Sequence, residues 1–238
     1  SDVYKRQSLD DVLAFQAESS ERLAELVSFD ERAAALDEQR SALLADLTRL
    51  RAEVLAARTE AAPRLAAAVK EHLIGLAMAG ARLEVSVAGE AGDEVAFRLA
   101  ANAGHDPQPL TRVASGGELA RTMLALRLVL SAGPPTLVFD EVDAGIGGDV
   151  ANTVGASLAD LSATHQVLVV THLAQVAAFA DQHVAITKRD VQGRTVSEAT
   201  VLDDDACVTE LSRMLSGSPD SASARQHADE LRAAAGAV

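Results

Sequence analysis

Residues 113–148 read VASGGELARTMLALRLVLSAGPPTLVFDEVDAGIGG, the part of the chain with the clearest succession of secondary-structure signals. A Ser-Gly-Gly-Glu turn leads into residues 118–130, where the absence of Gly and Pro favours a helix. The apolar run TLVF then predicts a fully buried strand, with Asp140 and Glu141 directly behind it. A second helical segment and a second apolar strand, QVLVVTH, come next. Buried strands that alternate with helices indicate an α/β fold whose parallel sheet is covered on both faces.

The upstream segment, residues 8–62, contains no Gly or Pro and is rich in Ala, Leu, Glu and Arg, which favours a long helix. Its apolar positions recur three and four residues apart for about five heptads, the spacing of a coiled-coil seam. We therefore predict a coiled-coil arm whose partner helix lies in another segment or another chain; a long amphipathic helix packed on its own domain is the alternative. Pro63 is expected to end or kink this helix. The seam comprises Leu26, Phe29, Ala33, Leu36, Leu43, Leu47, Leu50, Val54, Ala57 and Ala61, with one break at Arg40.

The other segments carry ordinary strand, turn and helix signals. ARLEVSV and DEVAFRLAA predict a hairpin, and AGHDPQP after them predicts a loop. HVAITKR and TVSEATVL predict two strands around Gln192-Gly193. The C-terminus is helical from about Asp205, with a break at Gly217-Ser218-Pro219.

The composition excludes several classes of protein. The 238 residues include 35 acids against 21 bases, a net charge of −14, which argues against a broad basic surface that binds nucleic acid unaided. Cys207 is the only cysteine, so disulfides within the chain and metal sites built on paired cysteines are excluded, as suits a reducing cytoplasm. No apolar run is long enough to span a bilayer. We expect three parts: a non-native leader over 1–7, a coiled-coil arm with its return over 8–80, and a globular lobe over 81–238.

Acidic and imidazole side chains follow the two predicted strands. Asp140 and Glu141 leave the first strand in different directions, because side chains alternate along a strand, so one can hold a hydrated Mg²⁺ and the other can activate a water. If the strands are parallel, His172 emerges at the same edge, where it can reach a terminal phosphate or that water. The alternatives are acids that cap the next helix and a histidine that caps a helix or lies at the surface.

The Ser-Gly-Gly-Glu turn predicts a helix start. Ser115 and Glu118 have the spacing of a capping box. Gly116 and Gly117 between them leave room for a ligand to approach the backbone, and the free N–H groups of a helix start favour an anion such as phosphate. Glu118 would repel that anion and is expected to point away.

In combination, these motifs resemble the second half of an ABC-type ATPase. Ser115 to Glu118 match the signature motif of that family, Phe139-Asp140-Glu141 its Walker B strand and His172 its switch histidine. The coiled arm narrows the resemblance to the SMC-like branch, whose two ATPase lobes lie at opposite ends of the chain. FDEVDAGIGG and VLVVTHLAQVAAFAD resemble members of that branch that act in bacterial DNA repair, and the resemblance covers residues 8–215. It implies the C-terminal lobe of an ATPase head, with helices flanking a mostly parallel sheet.

The resemblance implies a role for each matching residue. Asp140 would organise Mg²⁺, through water, on the ATP of its own head. Glu141 would be the general base, and His172 would sense or stabilise the γ-phosphate. The signature residues Ser115, Gly116, Gly117 and Glu118 would belong to the site of an ATP bound to a partner head.

One position departs from the pattern of the wider family. An aspartate usually lies six residues after the catalytic glutamate, in the D-loop, and Gly147 occupies that position here. Asp143 is offset from it and is a candidate to contribute instead. The loop Ala144-Gly145-Ile146-Gly147-Gly148 is still expected to line the interface between two heads.

The function implied is ATP hydrolysis in DNA double-strand break repair and recombination. The implied partners are a second head, the N-terminal half of the same protein, and DNA ends or single-stranded regions bound by the full-length protein; the implied location is the cytoplasm and nucleoid, without a membrane partner. Because no G-x-x-x-x-G-K-[ST] loop is present, we expect this chain alone to be inactive. Two alternatives stay open: a transporter ATPase subunit, and a structural coiled-coil protein with a degenerate ATPase fold.

Overall fold

The computed structural model describes residues 8–113, 115–130, 133–191, 194–218 and 221–236. Two compact units divide the chain: residues up to Ala57 with Ala88–Asp93, and Arg58–Val87 with the chain from Glu94 onward. The fold class is α/β, as expected. In chain order the elements are α1 (Leu9–Gly75), β1 (Arg82–Ala88), β2 (Glu94–Ala100), β3 (Gln108–Pro109), a 3-10 turn (Leu110–Arg112), α2 (Gly116–Val129), β4 (Thr136–Phe139), α3 (Asp149–Ser162), β5 (Gln166–Val169), α4 (Ala174–Ala177), β6 (Val184–Val191), β7 (Arg194–Val201), α5 (Asp204–Ser216) and α6 (Ala222–Ala235).

The first helix, α1, is 67 residues long and runs through Pro63. Of the two predicted effects of this proline, an end or a kink, the end is therefore wrong. Pro63 lacks an N–H for the helical carbonyl four residues back, but Ala-rich sequence on both sides favours helix strongly. Ala62, Val69 and Leu73 are buried along one face and hold this part of α1 in the core. The coiled-coil seam is exposed instead, with Phe29 and Leu43 both more than two-thirds accessible.

The main core gathers apolar side chains from the end of α1, the first strands, α2, β4 and α3. In α3 the buried residues recur three and four apart, at Ala151, Val154, Leu158 and Leu161, so one face of the helix packs inward. The fully buried residues at the centre of this core include Val69, Leu73, Leu76, Leu124, Val142, Ala151 and Val154.

Strands β1, β2 and β3 form one sheet in that order. The hairpin predicted for β1 and β2 is confirmed as a pair of neighbouring strands. The loop predicted after them is wrong in part, because Gln108 and Pro109 form β3 and pair antiparallel with Leu99 and Arg98 of β2. Pro109 is tolerated there because β3 is an edge strand, where a missing N–H disrupts no further pairing.

Strands β4 and β5 are parallel, with Phe139 opposite Val169, so their carboxyl ends meet at one edge. The prediction that both strands are fully buried is wrong. Leu137 and Phe139 are buried, but Val138 is 67 % exposed and its neighbour Leu168 is 50 % exposed. Side chains alternate between the faces of a sheet, so one face of this pair packs on the core and the other is open within the described chain.

The C-terminal part contains the predicted hairpin and helices. Strands β6 and β7 pair antiparallel from Val184–Val201 to Val191–Arg194, and the predicted turn residues Gln192 and Gly193 lie outside the described residues. Helices α5 and α6 are separate, as expected. Pro219 of the predicted break also lies outside the described residues. A second core joins these helices to α4 through Cys207, Leu211, Ala174, Ala177 and Ala228. In the described ranges, no helix combines the length and the apolar character needed to cross a membrane.

Candidate nucleotide site

The carboxyl edge of β4 and β5 brings together three of the predicted site residues. Asp140 and Glu141 follow Phe139 at the end of β4, and His172 follows the end of β5. The side chains of Asp140, Glu141 and His172 are exposed. The parallel pairing therefore gathers two carboxylates and an imidazole at the sheet edge where α/β proteins bind ligands.

Glu141 has a backbone conformation that is rare for a residue with a side chain, with φ of 57°. Its carboxyl group lies against the first turn of α2, since a Cβ added to Gly116 would collide with Glu141 Oε2. The absence of a side chain at Gly116 is thus what lets Glu141 approach this helix start. Strain of this kind persists only where the surroundings fix it and is common at functional sites.

The Ser-Gly-Gly-Glu turn of residues 115–118 (the signature turn) begins α2, as the capping box predicts. Ser115 is the N-cap, and its Oγ accepts a hydrogen bond from the Glu118 N–H at 3.4 Å. Gly117 is buried, and a Cβ there would lie 2.9 Å from both the Cβ and the carbonyl oxygen of Ala144. Within this chain, Gly117 therefore allows α2 to pack against the loop that follows β4.

Arg121, one turn further along α2, is a component of the site that the sequence reasoning missed. It is 6 % exposed, and its Nη1 donates to the carbonyl oxygens of Ala144 at 2.8 Å and Val142 at 3.4 Å. Burial lowers the pKa of the Arg121 guanidinium, an effect that the charge of Glu118 opposes. Arg121 lies on the same face of α2 as Leu124 and Ala125. This position could have marked it as a candidate in the sequence, because an unpaired charge is costly in a core.

Asp143 lies in the same loop and is only 2 % exposed. Its Oδ2 accepts hydrogen bonds from the Thr171 hydroxyl at 2.5 Å and from the His172 N–H at 2.9 Å. The same oxygen lies 3.1 Å from His172 Nδ1. Asp143 therefore links the ends of β4 and β5 inside the chain. From the sequence it was a candidate to replace the D-loop aspartate at the interface between two heads.

The D-loop segment after Asp143 is partly accessible. Ala144 and Ile146 are half-buried, and Gly145, Gly147 and Gly148 are exposed. A Cβ at Gly147 would meet no atom within 4 Å, and only Gly145 and Gly148 have positive φ values, 74° and 56°. Steric constraint in this chain does not explain why glycine replaces the usual aspartate at position 147.

The residues that the structure describes at this edge do not form a complete set of metal ligands. The described residues contain no cluster of three or more His, Cys, Asp or Glu side chains able to hold an ion alone. Asp140 offers one exposed carboxylate, which fits Mg²⁺, an ion that commonly takes one or two protein carboxylates and completes its shell with water and substrate phosphates.

The amino-acid sequence is similar to those of known DNA repair proteins. The DNA repair protein RecN of Deinococcus radiodurans is 43 % identical over 232 residues, which cover 95 % of this chain and 41 % of that protein. RecN of Streptomyces coelicolor is 44 % identical over 213 residues, covering 81 % of this chain and 37 % of that protein. The chain thus spans about two-fifths of the length of these curated relatives. No family model matches the chain.

Solved structures share the fold at low sequence identity. The Smc head domain of Pyrococcus yayanosii, solved with a coiled coil and joint, matches with a TM-score of 0.59 and 22 % identity over 87 % of this chain and 39 % of that one. The Smc head domain of Pyrococcus furiosus, with an extended coiled coil, matches with a TM-score of 0.54 and 20 % identity over 86 % of this chain and 51 % of that one. The sequence and structural matches together place this chain in the RecN family, as a C-terminal part of a RecN protein with an SMC-like head fold.

Proposed function

We propose that this chain is the C-terminal part of an ATP-hydrolysing SMC-like protein of DNA double-strand break repair and recombination. One observation carries the proposal: parallel strands β4 and β5 gather Asp140, Glu141 and His172 at one edge, and the signature turn of α2 lies beside Glu141. The RecN relatives, which are DNA repair proteins, and the SMC heads of the same fold favour this function over a transporter subunit.

In this proposal, the chain acts on its own nucleotide through three side chains. The Glu141 carboxylate accepts a proton from the attacking water as general base, and exposed His172 contacts the γ-phosphate. Asp140 would hold Mg²⁺, and the bound ion would supply electrostatic stabilisation of the charge on the phosphates. The lysine and the phosphate cradle come from the N-terminal half, since this chain has no G-x-x-x-x-G-K-[ST] loop.

The signature turn serves the nucleotide of a second head. The first N–H groups of α2, at Gly116 and Gly117, have no acceptor within the helix and suit a phosphate oxygen. In the present structure the Glu141 carboxyl lies against this turn. Two anions at one site repel each other, so we infer that Glu141 leaves the signature turn when the partner's ATP arrives. The same movement would free Glu141 to act on its own nucleotide.

The remaining partners follow from surfaces that this chain leaves open. The exposed apolar face of β4 and β5 is assigned to the N-terminal half of the head, and the exposed seam of α1 to the other helix of the coiled coil. The loop 144–148 is assigned to the interface between two heads. DNA ends or single-stranded regions would be bound by the full-length protein, in the cytoplasm at the nucleoid.

Reconstitution with the matching N-terminal half tests the ATPase proposal. We expect no turnover of ATP by this chain alone, turnover by the pair, and at least a hundredfold loss of kcat in the pair with Glu141→Gln, the scale of a missing general base. ATP-bound head dimers should accumulate in that variant, because the γ-phosphate that joins the heads is not removed. Asp160→Asn is the matched control. Asp160 lies near the end of α3, which leads into the amino end of β5, whereas Glu141 lies at the carboxyl end of the β4–β5 pair.

Other outcomes of this experiment would favour the alternatives. Normal turnover by the isolated chain would contradict the split site. A pair that binds neither Mg²⁺ nor ATP, measured by calorimetry, would indicate a structural protein with a degenerate ATPase fold. Association of the pair with a membrane permease rather than with DNA ends would indicate a transporter subunit.

A further inference from the structure

We propose that Asp143 and Arg121 are positioning residues for His172, fixing its Nδ1 toward the protein and presenting its Nε2 outward. The importance of this arrangement for catalysis rests on the proposed function, in which His172 meets the γ-phosphate. The arrangement itself is a property of this chain and can be tested without ATP.

Asp143 holds the His172 segment at both backbone and ring. Its Oδ2 accepts from the His172 N–H at 2.9 Å and lies 3.1 Å from His172 Nδ1. The Thr171 hydroxyl donates to the same oxygen and accepts from the Leu173 N–H at 3.1 Å. The turn after β5 is therefore organised around one buried carboxylate.

The proximity of Asp143 bears on which nitrogen of the ring carries a proton. His172 Nδ1 lies 3.1 Å from a carboxylate oxygen, where a lone pair on Nδ1 would face a negative charge, so the proton is favoured on Nδ1. Nε2 is then the nitrogen left for solvent or a ligand, and the His172 side chain is 73 % exposed. In the charged ring Nε2–H donates to a phosphate oxygen, and in the neutral ring Nε2 accepts from water. The same logic lets a buried aspartate orient a catalytic histidine in serine proteases.

Arg121 holds the loop that carries Asp143. Its Nη1 donates to the carbonyls of Val142 and Ala144, which flank Asp143 on both sides. Gly117, one turn earlier in α2, brings the helix close enough for this contact. The chain of contacts thus runs from the signature helix through Arg121 and Asp143 to His172.

The position of Arg121 is costly if it serves packing alone. Its side chain is 6 % exposed, and its Nε has no hydrogen-bond partner among the described residues. Its Nη1 donates to two backbone carbonyl oxygens and not to a carboxylate. A methionine of similar length would avoid the desolvation of a charge, so the guanidinium is explained by the two carbonyls that it fixes.

¹H–¹⁵N NMR of the chain labelled with ¹⁵N-histidine measures which ring nitrogen of His172 carries the proton, at a pH where the ring is neutral. The His172→Gln variant identifies the signal of His172 by its loss. We expect the Nδ1–H tautomer of His172. Asp143→Asn removes the charge and should lower the ratio of Nδ1–H to Nε2–H by about fivefold or more, because a charged acceptor binds more strongly than a neutral one. The exposed His227, near Glu230 in α6, is the internal reference and should not change. An Nε2–H tautomer in the parent chain, or an unchanged ratio in Asp143→Asn, would overturn the proposal.

Arg121→Met tests the second positioning residue. We expect it to shift His172 toward a mixture of tautomers, because the loop that carries Asp143 is no longer held. Circular dichroism establishes whether the variant folds; if it does not, Arg121→Lys, which retains the charge and can reach one carbonyl, replaces it and should produce a smaller shift. A folded variant with the parent ratio would overturn the role of Arg121.

A kinetic measurement on the reconstituted pair connects the arrangement to catalysis. Asp143→Asn should lower kcat while leaving KM for ATP unchanged, because a misoriented His172 affects the transition state more than binding. A raised KM with unchanged kcat would contradict a role in positioning His172 for catalysis. If the pair hydrolyses no ATP at all, the proposed function fails, whereas the NMR result still decides the arrangement.

Discussion

Gly117 lies where α2 packs against the loop after β4. A Cβ at this position would stand 2.9 Å from the Cβ and the carbonyl oxygen of Ala144, so this packing requires glycine in addition to any approach of a phosphate. Real Cβ atoms essentially never come so close to backbone. Whatever ligand this turn binds, α2 can dock on the loop after β4 only with glycine here.

We predict that Gly117→Ala destabilises the chain by about 1–3 kcal/mol, the usual cost of forcing extra volume into a packed site. Urea unfolding followed by circular dichroism measures this change. Gly147→Ala is the matched control, because a Cβ there meets no atom within 4 Å and the free energy of unfolding should change by less than about 0.5 kcal/mol. Equal stability of the Gly117→Ala variant and the parent chain would contradict the packing role.

The sequence predicted residues that a motif marks and missed those that only tertiary contacts reveal. Asp140, Glu141 and His172 follow apolar strands, so parallel pairing alone brings them to one edge. Arg121 gave only a weak signal, its place on an apolar face of α2, because its acceptors lie 21 and 23 residues further along the chain. The buried role of Asp143 likewise depends on the approach of β5 to β4, which no local pattern specifies.

Helix α1 illustrates competition between a local signal and its surroundings. Proline within a helix removes one hydrogen bond and costs about 3 kcal/mol, so an end or a kink at Pro63 was the sound local prediction. Burial of Ala62, Val69 and Leu73 on one face opposes that cost, and the helix continues to Gly75. Apolar burial over several turns outweighed a single unfavourable residue.

Replacement of this proline should therefore stabilise the chain. We predict that Pro63→Ala raises the midpoint of thermal unfolding by about 2–8 °C, since it restores a backbone donor at an exposed helical position and about 1–3 kcal/mol of stability. The control is Arg64→Ala, which removes only an exposed ion pair with Glu60 at 3.7 Å and should change the midpoint little. A lower midpoint for Pro63→Ala would mean that Pro63 serves the fold in a way that its helical position does not reveal.

One face of the β4–β5 pair is apolar but is not buried by the core of this chain. The uninterrupted apolar runs in β4 and β5 predicted burial on both faces, yet Val138, Leu168 and Val170 are all at least half exposed. Contiguous apolar surface of this kind marks an interaction site in soluble proteins. Because the chain spans about two-fifths of its RecN relatives, we infer that the strand pattern reflects burial by the rest of the protein.

This inference predicts that Val138→Lys disrupts association with the N-terminal half while leaving this chain folded. Val138 is 67 % exposed, so lysine costs the isolated chain little, whereas in the assembled head it would bury an unpaired charge. We expect the dissociation constant, measured by calorimetry, to rise about 30-fold or more, the effect of losing a 2 kcal/mol hot spot. Val196→Lys in β7 is the matched control, because it places the same charge on an exposed valine of another sheet and should leave the affinity unchanged. Equal affinities of the two variants would show that the open face of β4 and β5 is covered by something other than the N-terminal half.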